Sequence, residues 1–164
     1  MIKIDSEAWR VLVAHAESTY PDECCGALIG EMSGETSGDG VRIVHEAVPM
    51  RNSYQGPQED RYELHPEDLL AADREARASG LDLIGIFHSH PDCDAYFSET
   101  DLKNSCPWYS FLVLSIRYGF YHHANSWLPD VELTGAVKEE LIVQRAAASS
   151  PPRFVADGQT AADR

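Results

Sequence analysis

The chain has 164 residues, is 43% hydrophobic and carries a formal net charge of −14, which predicts one globular domain with a sizeable core. The acidity argues against a nucleic-acid binder, which needs a basic stripe to replace phosphate counterions, and against an anionic membrane surface. The opening MIKIDSEAWR lacks the apolar core of a signal peptide, and the longest strongly apolar run, Phe111 to Ile116, is too short to span a bilayer; a cytoplasmic protein is expected, with Cys24, Cys25, Cys93 and Cys106 as thiols.

Helical spacing of Ile4, Ala8, Leu12 and His15 or Ala16 predicts an opening helix from Ile4 to Tyr20, with Asp5 or Ser6 as its cap. Cys25 to Ile29 is small and apolar and reads as a buried strand. Val41 to Met50 returns as the second strand of a hairpin, with a loose tip between Gly30 and Gly40. Arg51 to Asp60 has loop chemistry, and Tyr62 to Leu64 reads as a short strand. Pro66 opens a helix with His65 near the cap, Glu67 and Asp68 in the first turn and Gly80 after its end. Its apolar residues spread too widely for one stripe, so it should pack flat on a sheet.

Leu81 to Phe87 is then a central strand, apolar enough to be covered on both faces, and it runs directly into His88. A short helix from Ser98 to about Asn104 follows. Trp108 to Ile116 reads as another buried strand, Gly119 to His123 as its hairpin arm, and Ser126 to Leu133 and Glu139 to Val143 as edge strands or turns. The domain is expected to span 1–143, with a small-residue, proline-broken tail over 144–164. Together these elements predict an α/β or α+β domain of three layers, helices lying on the faces of a sheet.

The chemistry concentrates in His88 to Asp101, HSHPDCDAYFSETD. Side chains two apart on a strand point the same way, so His88 and His90 can face one ion while Ser89 points elsewhere. Pro91 stops the strand and keeps His90 extended. Ser98 is a natural N-cap, and Asp101 falls in the first helical turn, where the helix dipole favours its charge. Two neutral imidazoles and one carboxylate suit a single zinc ion and leave a fourth position open, the catalytic pattern. Ser98 and Asp101 also fit a capping box, which would leave Asp101 less free to bind metal. Asp92, Cys93 and Asp94 read as rim residues, Cys93 being open to oxidation.

A hydrolytic metal site needs a carboxylate as general base. Composition cannot single one out, but Glu23 stands directly before a buried strand, where rigid backbone would aim it. The rival reading makes Cys24 or Cys25 a nucleophile with His88 or His90 as its base. A zinc deaminase would need H-x-E and a later P-C-x-x-C, and neither occurs.

These residues carry a family resemblance. HSHP, six residues and then SETD match the H-x-H-P-x6-S-x2-D signature of the JAMM metalloproteases, also called the MPN or Mov34 family, and PDECCGALIG resembles that family's E-x-C-G-x-L-x-G segment. With the elements between them the resemblance covers roughly residues 1 to 140. It implies a twisted mixed sheet flanked by helices, related in shape to cytidine deaminases. It further implies a zinc-dependent peptidase or isopeptidase in which His88, His90 and Asp101 bind zinc, Glu23 activates the water and Ser98 stabilises the oxyanion. Small prokaryotic members act on ubiquitin-like or sulfur-carrier proteins that end in a diglycine, so such a carrier is the partner implied. The alternative within the family is a non-catalytic MPN scaffold that binds protein partners.

Overall fold

The computed structural model describes residues 1–34 and 40–144. Its elements are β1 (Ile2–Ile4), α1 (Ser6–Thr19), β2 (Cys25–Ser33), β3 (Val41–Met50), α2 (Pro66–Ala78), β4 (Asp82–Pro91), α3 (Glu99–Lys103), β5 (Ser110–Arg117), β6 (Phe120–Pro129), β7 (Ala136–Glu139) and β8 (Leu141–Val143). The eight strands form one mixed sheet in the order β7-β6-β5-β4-β2-β3-β1-β8. β4 runs parallel to β5 and antiparallel to β2, so its carboxyl end opens beside the start of β2. Only Glu140 separates β7 from β8, although they stand at opposite ends of the strand order, so the sheet curls until its two ends meet. Glu139 secures that meeting, accepting from Ser126 Oγ at 2.7 Å and pairing with the Met1 amino group at 3.4 Å.

Two apolar clusters fill the two faces of the sheet, which is the expected three-layer α+β arrangement. On one, Ala8, Leu12 and Ala16 of α1 pack against Ile2, Ile4, Val44, Phe87 and Leu114. On the other, Ala72 and Ala76 of α2 pack against Ala27, Ile29, Leu83, Ile86 and Phe111. Small residues on α2 let its backbone lie close to the sheet, as the width of its apolar face required. Its ends follow the sequence: His65 Nδ1 accepts from the Glu67 amide, and Gly80 turns the chain at φ +74°. Gly26 is needed for close approach, since a Cβ there would overlap the Phe87 ring and the Val48 carbonyl.

Several expectations are corrected. The first helix begins at Ser6, because Ile2–Ile4 is a fully paired strand between β3 and β8. Asp5 holds the N-cap position without a side-chain cap bond, its carboxylate being taken by His45 at 2.8 Å. Tyr62 to Leu64 forms no strand, only a single bridge from Leu64 to Asn52. Gly119–His123 and the start of Ser126–Leu133 are one strand, β6, and Trp108 lies outside β5, two-thirds exposed. Gln144, grouped with the tail, donates its amide to the Ile4 carbonyl at 2.8 Å; the rest of that tail, like residues 35–39 of the hairpin tip, lies outside the described residues. No helix among the described residues is long and apolar enough to cross a membrane.

Candidate metal centre

β4 ends as its alternation predicts. Ile86, His88 and His90 share the face towards α2, and Ser89 points through to the other side, where its hydroxyl accepts from the Cys24 amide at 2.8 Å. That bond and the Ser89 amide to Cys24 carbonyl bond (3.2 Å) tie the residue after Glu23 to the strand carrying the histidines. The Glu23 amide donates to the Gln58 carbonyl at 2.7 Å, and its own carbonyl accepts from Asn52 Nδ2 at 3.1 Å. A carboxylate that the sequence singled out only by its place before a buried strand is therefore held on both backbone groups.

The ligand atoms meet. His88 Nε2 lies 3.2 Å from His90 Nε2 and 3.2 Å from Asp101 Oδ1, all three residues are buried, and they are the group of metal-binding type found among the described residues. Ligand atoms arranged tetrahedrally at zinc bond lengths stand about 3.3 Å apart, so the set has the spacing of an ion's coordination shell. The donor chemistry agrees. His90 Nδ1 lies 2.9 Å from the Asp94 carbonyl, which can only accept, so Nδ1 carries the proton and the Nε2 lone pair faces inward. His88 Nδ1 is buried without a partner among the described residues, and the ring stacks on Tyr62 at 4.5 Å between centroids.

Ser98 and Asp101 do form the capping box, and the carboxylate divides its oxygens between two tasks. Oδ2 accepts from the Ser98 amide (2.8 Å) and hydroxyl (2.6 Å), Ser98 Oγ accepts from the Asp101 amide (3.0 Å), and Oδ1 is left facing His88. Capping and metal binding are thus compatible.

Burial sets the electrostatics. It lowers the pKa of His88 and keeps that imidazole neutral, the form that binds metal. Burial alone would raise the Asp101 carboxyl, but whenever His88 or His90 carries a proton on Nε2 its pull, together with the Ser98 hydroxyl, outweighs burial and holds the carboxyl below its ordinary range. Glu23 goes the other way: burial first, then the Asp101 and Asp60 charges, push it up to about 9 against the pull of Arg61. Its Oε1 stands 3.9 Å from His90 Nε2. The Cys24 and Cys25 thiols are pushed up to about 12 by burial, which removes them as nucleophiles at neutral pH.

The centre opens into a cleft of about 920 Å³ lined by Asp60, Arg61, Glu63, Leu69, Tyr96 and Phe111, with the Tyr96 ring 4.8 Å from that of His90 between centroids. Cys93 is exposed on its rim. Tyr62, Ser89, Asn52 and the Asp94 carbonyl escape sequence reading; alternation showed only that Ser89 leaves the metal face, and nothing local marks the other three.

Comparison with known proteins places these features in context. The family described as prokaryotic homologs of the JAB domain matches residues 5–128. The desampylase of Haloferax volcanii is 34% identical over 119 residues, 70% of this chain and 80% of that protein. The Lys-63-specific deubiquitinase BRCC36 of Pongo abelii is 30% identical over 128 residues, 62% of this chain and 51% of its own, so the chain spans about half the length of that relative. Among solved structures, a protein from Desulfitobacterium hafniense superposes with a TM-score of 0.75 at 28% identity, over 90% of this chain and 96% of the other. A JAB1/MPN domain protein from Archaeoglobus fulgidus shares the fold, with a TM-score of 0.51 at 20% identity over 87% of this chain and 99% of its own.

Proposed function

Because this chain belongs to the prokaryotic homologs of the JAB domain, the JAMM/MPN family, we propose that it is a zinc-dependent isopeptidase or peptidase that cuts after the C-terminal diglycine of a ubiquitin-like or sulfur-carrier protein. The deubiquitinase and desampylase among its relatives support that substrate class. The observation that carries the chemistry is Glu23, a buried carboxyl of raised proton affinity 3.9 Å from His90 Nε2, at the edge of a ligand set of the right size.

In this reading His88, His90 and Asp101 hold one zinc ion. When bound, the ion would polarise the scissile carbonyl, make water a better nucleophile at neutral pH and draw the Glu23 carboxyl down from about 9 into the range where it accepts a proton. Glu23 then takes the proton of the attacking water and returns it to the leaving amine, restoring the carboxylate. Ser98 Oγ donates to the developing oxyanion by turning away from Asp101 Oδ2, which keeps the bond from the Ser98 amide. A diglycine tail, lacking side chains, lets the substrate backbone come close to these groups at the floor of the cleft.

The test is Glu23→Gln. It should retain stoichiometric zinc, lose cleavage of a diglycine-ended carrier conjugate by at least about a hundredfold, and capture that carrier in a pull-down. Undiminished cleavage would overturn the base assignment; wild-type protein without zinc would fit the scaffold role instead.

A further inference from the structure

The loop from Asp92 to Ala95, which supplies the carbonyl that orients His90, is sewn to the β5–β6 hairpin along its whole length. The Asp92 amide donates to the Ile116 carbonyl at 2.7 Å, and Asp92 Oδ1 accepts from the Tyr118 amide at 2.9 Å. Ser115 Oγ donates to the Cys93 carbonyl at 2.6 Å, and Arg117 Nη2 lies 2.6 Å from Asp94 Oδ1. The densest attachment is at Ala95, which is fully buried. Its amide donates to His123 Nε2 at 3.2 Å, and its carbonyl accepts from Asn125 Nδ2 at 3.0 Å and Trp127 Nε1 at 3.2 Å.

His123, Asn125 and Trp127 occupy alternate positions of β6 and so share one face of the sheet. They satisfy both backbone groups of one residue, and the peptide between Asp94 and Ala95 contains both the carbonyl bonded to His90 and the amide bonded to His123. A peptide is planar, so fixing its N–H fixes the direction of its C=O.

We propose that His123, Asn125 and Trp127 are positioning residues of the metal centre. By clamping Ala95 they aim the Asp94 carbonyl at His90 Nδ1, which selects the ring tautomer whose Nε2 faces His88 and Asp101. The inference rests on the metal-site reading above, and it assigns to β6, a strand that supplies no ligand, control over one of the three. His123 takes part as an acceptor through Nε2, so its own ring proton sits on Nδ1, 2.7 Å from His122 Nδ1. The group bonded directly to the ligand, here the Asp94 carbonyl, is of a kind worth roughly 10- to 100-fold in metal affinity; His123, Asn125 and Trp127 act one bond further out, through Ala95, and command part of that factor.

The experiment compares wild type, His123→Leu, Asn125→Ala, Trp127→Phe and the conservative His123→Gln, whose side-chain oxygen can still accept from the Ala95 amide. Two quantities are read: the zinc dissociation constant by chelator competition, and the His90 tautomer from ring nitrogen shifts in metal-free, isotope-labelled protein. His123→Leu should raise the dissociation constant severalfold, up to about tenfold, and give a mixed His90 tautomer, Asn125→Ala should do the same to a smaller extent, and His123→Gln should stay close to wild type. Trp127→Phe removes one donor while keeping an aromatic ring against Phe97, and should give a smaller change in the same direction. Wild-type affinity and an Nδ1-protonated His90 in all folded variants would overturn the proposal. So would a fall in unfolding temperature with both readouts unchanged, because that is what a merely structural role predicts. If wild type itself binds no zinc, the metal-site reading fails, and the His90 tautomer still decides the positioning role by itself.

Discussion

Asp101 Oδ2 is bonded to both the amide and the hydroxyl of Ser98, and this pairing turns Asp101 Oδ1 to within 3.2 Å of His88 Nε2. One residue therefore starts a helix and orients a candidate metal ligand through the same carboxylate. Ser98→Ala should lose about 1 kcal/mol of stability as a cap. It should also lower kcat by about tenfold or more if the hydroxyl serves the oxyanion. Ser98→Thr keeps the hydroxyl and should recover both, as read by thermal unfolding and by turnover of a diglycine conjugate.

Glu23 is held in a place that suits catalysis and opposes stability. Its folded pKa of about 9 lies above the ordinary 4.5, so in metal-free protein its contribution is intact below pH 4.5 and is lost as pH rises towards 9. Glu23→Gln should therefore stabilise the metal-free protein at pH 8 by about 1–3 kcal/mol. The advantage should vanish near pH 4. Urea unfolding of both proteins at the two pH values is the check, and equal midpoints at pH 8 would contradict the assignment.

Zinc should behave as a folding ligand. Free zinc at a hundred times its dissociation constant should add about 2.7 kcal/mol, visible as a rise in unfolding temperature that a chelator reverses. Asp101→Ala should abolish that rise. Because burial lowers the proton affinity of His88, competition from protons at that ligand should set in only at a pH below that of an ordinary imidazole.

Away from the centre, His45 bridges Asp5 at 2.8 Å and Glu31 at 3.3 Å, joining the start of α1 to the β2–β3 hairpin. The Asp5 hydrogen bond is the main cause of its raised pKa. The stability it adds is complete below its ordinary value and disappears as pH rises through the folded one. His45→Gln should thus be slightly less stable than wild type at pH 6 and indistinguishable at pH 9, in denaturant titrations at low salt.

Much of this centre is legible in the chain because its determinants are local. The His88, Ser89, His90 alternation, the stop at Pro91 and the Ser98 to Asp101 cap each depend on spacing within one element, and the structure realises all three. The same holds for the hairpin of β2 and β3 and for α2, whose ends are marked by Pro66 and Gly80. β1 was not legible. Three residues, Ile2–Ile4, become a strand only because β3 and β8 flank them, and their apolar pattern fits the helix that follows equally well.

The amino-acid sequence by itself determined which residue types could bind a metal and which short elements present them, since helix caps and strand periodicity act over a few positions. Only the tertiary structure decided that Glu23, sixty-five positions before His88, reaches the same point, that Asp101 can cap and face the site at once, and that Tyr62 and β6 brace the two imidazoles. Those relationships depend on which strands lie side by side and on how far burial strips water from each charge. Both follow from the packing of the whole sheet, which no local pattern encodes.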